Sequence, residues 1–154
     1  MKWQRVRPKG IPKPKVKGMP GRGLTYERKV GKVLAAGWKE PDFVLWKGWW
    51  IWDGLRWHQP DFVLWGRGGV WVFECKLTQK DEDAVEQLGR YGRLVEKIAQ
   101  ASELLPTLGH LVRPVRRVQV TRIVRKAWFQ TLRGRDVALE DFPVRGFGLW
   151  SLVL

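Results

Sequence analysis

The sequence predicts a mixed α/β domain in which a central mixed sheet is flanked by helices. Two helical segments follow residues 24 and 80, strand-like runs rich in Trp, Val and Phe lie between them, and alternating apolar and basic residues follow the second helix. A chain of 154 residues accommodates one domain of ordinary size. We therefore expect one domain over residues 24–154, preceded by an arm over residues 1–23.

The first half of this domain is expected to be one helix followed by three strands. Thr25 can cap the helix, and Gly37 can end it. Strands are expected near residues 42–52, 60–65 and 70–77, where β-branched and aromatic runs are separated by glycine-containing turns. The apolar face of the helix is expected to contain Tyr26, Val30, Val33 and Leu34.

The second half is expected to be a helix followed by two strands. The helix covers residues 81–105, where acidic residues suit its positive N-terminal end and Pro106 follows its last turn. Apolar and basic residues alternate over 113–124, as in a half-exposed strand, and residues 145–154 read as a last strand. The apolar stripe of the helix is expected to contain Val85, Leu88, Val95 and Ile98.

The charge of the chain predicts a polyanionic partner. There are 29 Lys and Arg against 15 Asp and Glu, a net charge of +14. Nucleic acid is the default partner for such a chain, because each phosphate that is neutralised releases a counterion. Residues 1–23 carry eight basic residues, four prolines and no acid, so we expect a flexible basic arm that grips phosphates. The side chains expected to contact DNA are Lys13, Lys15, Lys17, Arg22, Arg28, Arg56, Arg116 and Arg117.

Composition also limits the class of protein. Cys75 is the only cysteine, which excludes intrachain disulfides and cysteine-rich metal sites. No apolar run is long enough to span a bilayer, and no secretory signal is present, so we expect a soluble protein of the cytoplasm, or of the host cytoplasm if a phage encodes it. The absence of Asn and the scarcity of Cys and Met indicate a thermophilic source.

The hexapeptide PDFVLW occurs twice, at 41–46 and 60–65, and only the second copy has a chemical sequel. Glu74 and Lys76 come after Asp61, inside an apolar strand of their own. Residues two apart in a strand point to the same face, so these two side chains are expected to project together. A buried Glu and Lys are costly unless they are paired or bound to a metal. Two adjacent carboxylates favour a hard divalent cation, Mg²⁺ with Mn²⁺ as substitute, held by Asp61 and Glu74. Asp42 in the first copy is expected only to begin a strand.

Pro60-Asp61 and Glu74-Cys75-Lys76, on adjacent strands after a helix that carries Glu27, resemble the PD-(D/E)xK nuclease superfamily. The resemblance covers about residues 24–125 and implies a restriction-endonuclease-like core of order α-β-β-β-α-β. It implies that Glu27, Asp61, Glu74 and Lys76 are catalytic. It also implies that the metal is held by Asp61 and Glu74, with Glu27 and the backbone carbonyl of Cys75 completing the site.

Two subfamilies compete within this superfamily. The size of the chain, its "YERKVGKVL" helix and the spacing of Asp61 and Glu74 look similar to archaeal-type Holliday junction resolvases. Gln87 and Tyr91, four residues apart in "QLGRY", resemble instead the exonucleases of the RecB and lambda kind. The small free-standing domain favours the resolvase, which implies a homodimer that cuts a four-way junction symmetrically during DNA recombination and repair. Some of the many Trp residues are expected at the dimer interface or against bases.

We therefore expect a Mg²⁺-dependent endodeoxyribonuclease that resolves Holliday junctions by hydrolysing paired phosphodiester bonds. A RecB- or lambda-type exonuclease, or another nuclease of the superfamily, is the nearest alternative. The alternative from a different class is a non-catalytic nucleic-acid-binding protein in which the motif is accidental. Deletion of residues 1–21 is expected to weaken DNA binding and to leave cleavage intact, because the arm holds none of the expected catalytic residues.

Overall fold

The computed structural model describes residues 2–12, 19–40, 42–66, 68–78, 81–100, 115–123, 131–133 and 149–153. These residues form a mixed α/β structure, as the sequence predicts, but with two sheets instead of one. The helices are α1 (Met19–Gly37) and α2 (Asp81–Gln100). The strands are β1 (Lys2–Gln4), β2 (Phe43–Lys47), β3 (Trp50–Trp52), β4 (Trp57–His58), β5 (Phe62–Gly66), β6 (Val70–Thr78), β7 (Val115–Ile123), β8 (Thr131–Arg133) and β9 (Leu149–Val153).

The main sheet has six strands in the order β2-β5-β6-β7-β9-β8. The first three strands pair antiparallel, and β6, β7, β9 and β8 pair parallel. A parallel return from β6 to β7 requires a crossover, and α2 lies within it. The predicted strand at 113–124 corresponds to β7, and β9 lies within the predicted last strand.

The two helices lie on opposite faces of this sheet. Alternate residues of β6 point to opposite faces. Val70 and Val72 belong to the core beneath α2, whereas Trp71 and Phe73 belong to the core beneath α1. Most predicted core positions are confirmed, since Tyr26, Val30, Leu34, Leu88, Val95 and Ile98 are buried. Val85 was predicted wrongly: it is exposed, and Ala84 is buried in its place, because Ala84 lies four residues before Leu88 on the inward face of α2, whereas Val85 lies at the edge of that face.

The predicted strand over 42–52 is in fact two strands that belong to different sheets. The chain turns at Gly48, whose φ of +61° is strained for any side chain, and the N–H of Gly48 donates to the carbonyl of Asp61 at 3.0 Å. β3 then pairs with β4 and, on its other edge, with β1. The Trp-rich segment therefore forms a separate small sheet, ordered β1-β3-β4.

The tryptophans of this region serve the core more than an exposed surface. Four of those between residues 46 and 71 are buried and the other three are half-buried. Trp46 stacks on Trp49 with ring centroids 4.2 Å apart and meets Trp65 edge-on at 5.1 Å. Among the described residues no Trp is classed as exposed, which weakens the expectation of exposed Trp for bases or a partner.

The predicted irregular arm over residues 1–23 is corrected at both ends. Lys2–Gln4 forms β1, and α1 begins at Met19, before Thr25. The reason is tertiary: the edge of β3 offers unpaired backbone groups to the N-terminal segment. The Arg7 guanidinium also lies 5.4 Å from the centre of the Trp50 ring. Residues 13–18, including Lys13, Lys15 and Lys17, lie outside the described residues.

Deletion of residues 1–12 is therefore expected to destabilise the domain by roughly 2–4 kcal/mol, because it exposes the β3 edge and uncovers Trp50. Thermal or urea unfolding would measure the loss. A full-length variant in which the exposed Lys2, Arg5 and Lys9 are replaced by Gln removes charge and keeps the strand, so it should unfold as the wild type does. Equal stability of the deleted and full-length proteins would show that β1 is dispensable.

Gly31 lets α1 approach β5 closely. A Cβ at this position would lie 3.0 Å from a ring carbon of Phe62, which is buried. Gly31→Val is therefore expected to overpack this contact and to lower the free energy of unfolding by about 2 kcal/mol. The matched control is Gly23→Val in the same helix, where a Cβ would meet nothing within 4 Å. Urea unfolding of both variants decides the matter, and equal stabilities would contradict the close contact.

None of the described helices is both long enough and apolar enough to cross a membrane.

Candidate active site

Antiparallel pairing brings Asp61, immediately before β5, beside Glu74, in the middle of β6. The ladder pairs Phe62 with Phe73, so the next position along it places Asp61 opposite Glu74. One carboxylate oxygen of Asp61, Oδ2, accepts a hydrogen bond from the backbone N–H of Cys75 at 2.7 Å. This bond fixes the Asp61 carboxylate against the strand that carries Glu74.

The two copies of PDFVLW lie antiparallel to each other, and this separates their aspartates. β2 and β5 pair Phe43 with Gly66 and Lys47 with Phe62. Asp42 therefore lies at the far end of the strand pair from Asp61, and it is exposed. The copies share one structural role, since each fills the sheet with an apolar strand, but only Asp61 lies beside Glu74.

Glu74 and Lys76 project from the same face of β6, as their spacing predicts. Lys76 Nζ lies 3.6 Å from Glu74 Oε1. Glu74 is only 7 % exposed, and its other oxygen, Oε2, has no hydrogen-bond partner among the described residues. A buried carboxylate oxygen without a partner is unfavourable, so a hydrogen-bond donor or a cation beside Glu74 Oε2 would stabilise the middle of β6.

Glu27 of α1 is the third carboxylate of the cluster. Burial, together with the charge of Asp61, raises its pKa to about 7, and Arg28 opposes this rise. Because α1 begins at Met19, Glu27 lies well inside the helix. The predicted cap at Thr25 would have placed it in the first turn. Favourable charge at the helix N-terminus therefore does not explain a Glu at this position.

The carboxylates of the cluster raise one another's pKa. Burial is the main cause of the raised pKa of Glu74, and the charges of Asp61 and Glu27 add to it, whereas Lys76 opposes it. Burial also raises the pKa of Asp61, against the Cys75 N–H and Lys76. The Cys75 thiol has a strongly raised pKa through burial and the nearby carboxylates. It therefore stays protonated, which makes the thiolate a poor candidate for a metal ligand or nucleophile.

The carboxylates are chemically suited to a hard divalent cation, but their oxygen atoms do not converge on a single position. Within the described ranges, no three His, Cys, Asp or Glu side chains are arranged to hold a metal ion together. Asp61 is directed to the Cys75 N–H, and Glu74 to Lys76. Carboxylate oxygens are the ligands that Mg²⁺ uses, and the partnerless Oε2 of Glu74 and the raised pKa values are what a bound cation would relieve.

Helix α2 contributes the polar side chains on the other side of the cluster. Burial, together with the charges of Glu74 and Asp61, raises the pKa of Tyr91 to about 12, so the phenol lies within electrostatic reach of both carboxylates. The Oε1 atom of Gln87, one turn earlier, is buried without a hydrogen-bond partner in the described part of the chain. Both residues were predicted as accessory, and α2 places Tyr91 next to the carboxylates.

The contact between His58 and Asp53 was not predicted from the sequence. His58 is 8 % exposed, and its Nε2 forms a 2.7 Å hydrogen bond with Asp53 Oδ2. Its ring meets Tyr91 edge-on, with centroids 6.3 Å apart. The signal was present as a His five residues after an Asp-Gly turn, but strand pairing was needed to show that they face each other. This pair connects the small sheet to α2 beside the carboxylates.

The basic residues predicted to contact DNA fall into three groups. Arg28 and Arg56 are exposed. Arg116 lies 5.2 Å from the centre of the Trp71 ring, and Arg117 donates from Nε to the carbonyl of Leu88 at 3.1 Å. These two are half-buried and contact the domain itself, because β7 is an interior strand of the sheet. Arg22 lies in α1, but its side chain, like Lys13, Lys15 and Lys17, is outside the description.

No family model, curated protein or solved structure matches this chain.

Proposed function

We propose that this protein is a metal-dependent DNA endonuclease of the PD-(D/E)xK kind that resolves four-way junctions by hydrolysing paired phosphodiester bonds. One observation carries the proposal: Asp61, Glu74 and Lys76 lie together where the start of β5 meets the middle of β6, within electrostatic reach of Glu27, and burial raises the pKa of all three carboxylates. Among the described residues, Glu74 Oε2 has no hydrogen-bond partner. A cluster of this kind is unfavourable for stability alone, which makes it a functional candidate.

The order of elements supports a restriction-endonuclease-like core. With the small sheet set aside, the chain runs through α1, β2, β5, β6, α2 and β7, which is the order α-β-β-β-α-β. The helices lie on opposite faces, and β7 returns parallel to β6. The small sheet is an addition to such a core.

Each residue of the cluster has a separate role in the proposed reaction. Asp61 and Glu74, with Glu27 and the Cys75 carbonyl, would hold Mg²⁺ or Mn²⁺. The bound cation supplies polarisation of the phosphodiester and a lower pKa for the attacking water. Lys76 is held beside Glu74, where its ammonium can orient the water or stabilise charge that develops on the phosphate.

Charge and symmetry complete the proposal. The net charge of +14 favours DNA as the partner, and Arg28, on the same helix as Glu27, and Arg56 are exposed. Recognition of a junction would depend on DNA shape more than on base sequence, since phosphate contacts carry no sequence information directly. Two symmetric cuts require two sites, so the active form would be a homodimer.

The second candidate is an end-dependent exonuclease. The observation that favours it is the position of Tyr91 beside Glu74 and Asp61, with Gln87 one turn away on α2. This pair is the feature of the sequence that resembles the exonucleases of the RecB and lambda kind. The chemistry would be the same, and only the substrate would differ.

Cleavage of a panel of synthetic DNAs separates these functions. Four-way junctions, linear duplex, single strands and flaps, each labelled on one strand, are incubated with the protein with and without Mg²⁺. Paired symmetric nicks confined to the junction support the resolvase, and progressive loss of linear DNA from its ends supports the exonuclease. DNA binding without cleavage of any substrate in Mg²⁺ or Mn²⁺ would leave the non-catalytic DNA-binding protein as the remaining function.

A further inference from the structure

The turn between β3 and β4 presents an apolar side chain to solvent. Leu55 is 88 % exposed, more than any other large hydrophobic residue in the described part of the chain. Arg56 beside it is also exposed. A single exposed Leu is ordinary on a protein surface, so its significance depends on how the turn is held and on what lies next to it.

This turn is rigid. Asp53 Oδ1 accepts hydrogen bonds from the backbone N–H groups of Leu55 and Arg56, at 2.7 and 2.8 Å. The N–H of Asp53 donates to the carbonyl of Arg56 at 3.1 Å, and Gly54 supplies the φ of +104° that closes the turn. Leu55 is thus held on a fixed support, and little conformational entropy would be lost when it meets a partner.

The turn also lies beside the candidate active site. The second carboxylate oxygen of Asp53, Oδ2, binds His58, and the His58 ring packs against Tyr91. The phenol of Tyr91 lies within electrostatic reach of Arg56 and also of Glu74 and Asp61. A DNA strand whose phosphate reaches the carboxylate cluster would therefore pass close to Leu55 and Arg56.

We propose that the Asp53–Arg56 turn is a wedge that holds unstacked DNA at the branch point, with Leu55 between bases and Arg56 on the adjacent phosphate. The inference rests on the proposed function and adds how the substrate is selected. Apolar side chains inserted between base steps stabilise kinked or opened DNA. The insertion is easiest where stacking is already interrupted, so the wedge favours a junction over a continuous duplex.

Nucleic acid fits this turn better than a second copy of the chain. One Leu offers far less apolar area than a stable protein interface needs, and its neighbour Arg56 carries the charge that suits phosphate. In this proposal the small sheet supports the wedge, because β3 and β4 flank the turn and β1 pairs with β3. The hydrogen bond between Asp53 and His58 holds the turn near Tyr91.

The test compares Leu55→Ser and Leu55→Phe in an Asp61→Asn background, which prevents cleavage. Val6→Ser is the matched control, because Val6 is 75 % exposed and lies outside the turn. The probes are a four-way junction with 2-aminopurine at the branch point and a linear duplex of the same arm sequence. Anisotropy gives the affinities, and 2-aminopurine emission reports unstacking.

We expect Leu55→Ser to weaken junction binding by about 10-fold and to abolish the rise in 2-aminopurine emission, because a Ser side chain cannot supply the apolar contact that stabilises unstacked bases. Duplex affinity should change by less than about twofold, because phosphate contacts dominate it. Leu55→Phe should retain both signals, and Val6→Ser should match the parent protein.

Three results would overturn the wedge. If the parent protein prefers the junction and Leu55→Ser changes neither affinity nor emission, the wedge is wrong and the proposed function stands. If Leu55→Ser changes only the oligomeric state, measured by sedimentation, the turn is a protein contact. If the parent binds neither DNA and the wild-type protein cuts neither, the proposed function itself fails, and the wedge fails with it.

Discussion

We expect Asp61→Asn and Glu74→Gln each to abolish DNA cleavage and to leave DNA binding intact. The two carboxylates are the proposed metal ligands, and loss of a metal contribution of several kcal/mol lowers the rate by roughly a thousandfold or more. Binding should persist because it depends on Lys and Arg elsewhere in the chain. Loss of a buried negative charge can even tighten the affinity for phosphate. Single-turnover cleavage and anisotropy on the same DNA measure the two quantities.

The repeated hexapeptide supplies the matched control for this prediction. Asp42→Asn makes the same chemical change in the same local sequence, at an exposed position at the far end of the β2–β5 pair. Cleavage should remain within about twofold of the wild-type rate, because surface substitutions rarely alter the folded structure. A folded Asp42→Asn protein without activity, beside an active Asp61→Asn protein, would mean that the first copy is the chemical one.

Glu74→Gln is expected to stabilise the protein at high pH in the absence of divalent cations. Burial raises the pKa of Glu74 above that of the unfolded chain, so ionisation costs more in the folded state. The contribution of such a group to stability is fully present below the unfolded pKa and is lost as pH rises through the folded pKa. Glu27, with a pKa of about 7, acts in the same direction. Stability of the wild type should therefore fall from about pH 5 to pH 8.5 through these groups.

Removing the ionisable group should recover part of this loss. At pH 8.5 we expect Glu74→Gln to raise the free energy of unfolding by about 2 kcal/mol, or Tm by roughly 5 °C for a domain of this size. At pH 4 the two proteins should unfold alike. Glu40→Gln, at an exposed carboxylate, is the control and should track the wild type at both pH values.

Divalent cations should make the wild type more stable than Glu74→Gln at pH 8.5. The proposed Mg²⁺ or Mn²⁺ would bind only the folded cluster, and it would stabilise the folded protein in proportion to the logarithm of cation concentration above its Kd. Tm of the wild type should therefore rise with added cation at pH 8.5, while Tm of Glu74→Gln stays nearly constant. This readout needs no DNA and no catalysis. An equal response of both proteins would place the cation elsewhere on the surface.

The sequence by itself determined the elements that depend on local pattern. The 3.6-residue period in α1 and α2 and the apolar runs of β5 and β6 predicted the central elements to within a few residues, because periodicity follows directly from backbone geometry. The sequence also indicated Asp61, Glu74 and Lys76 as functional candidates, because burying a charged residue in or beside an apolar strand is unfavourable unless the residue has a function. The spacing of Glu74 and Lys76 placed them on one face before any fold was known.

Only the tertiary structure decided which residues meet across distant parts of the chain. The pairing of β1 with β3 depends on a free strand edge that no local pattern reveals. The break at Gly48 divided one predicted strand between two sheets, and the Asp53–His58–Tyr91 contact followed from it. Pairing register and helix docking are set by the summed packing of many side chains. Composition and periodicity describe side chains one at a time and not their contacts across the fold. The carboxylates could therefore be predicted from the sequence, whereas the neighbouring Asp53–His58–Tyr91 contact could not.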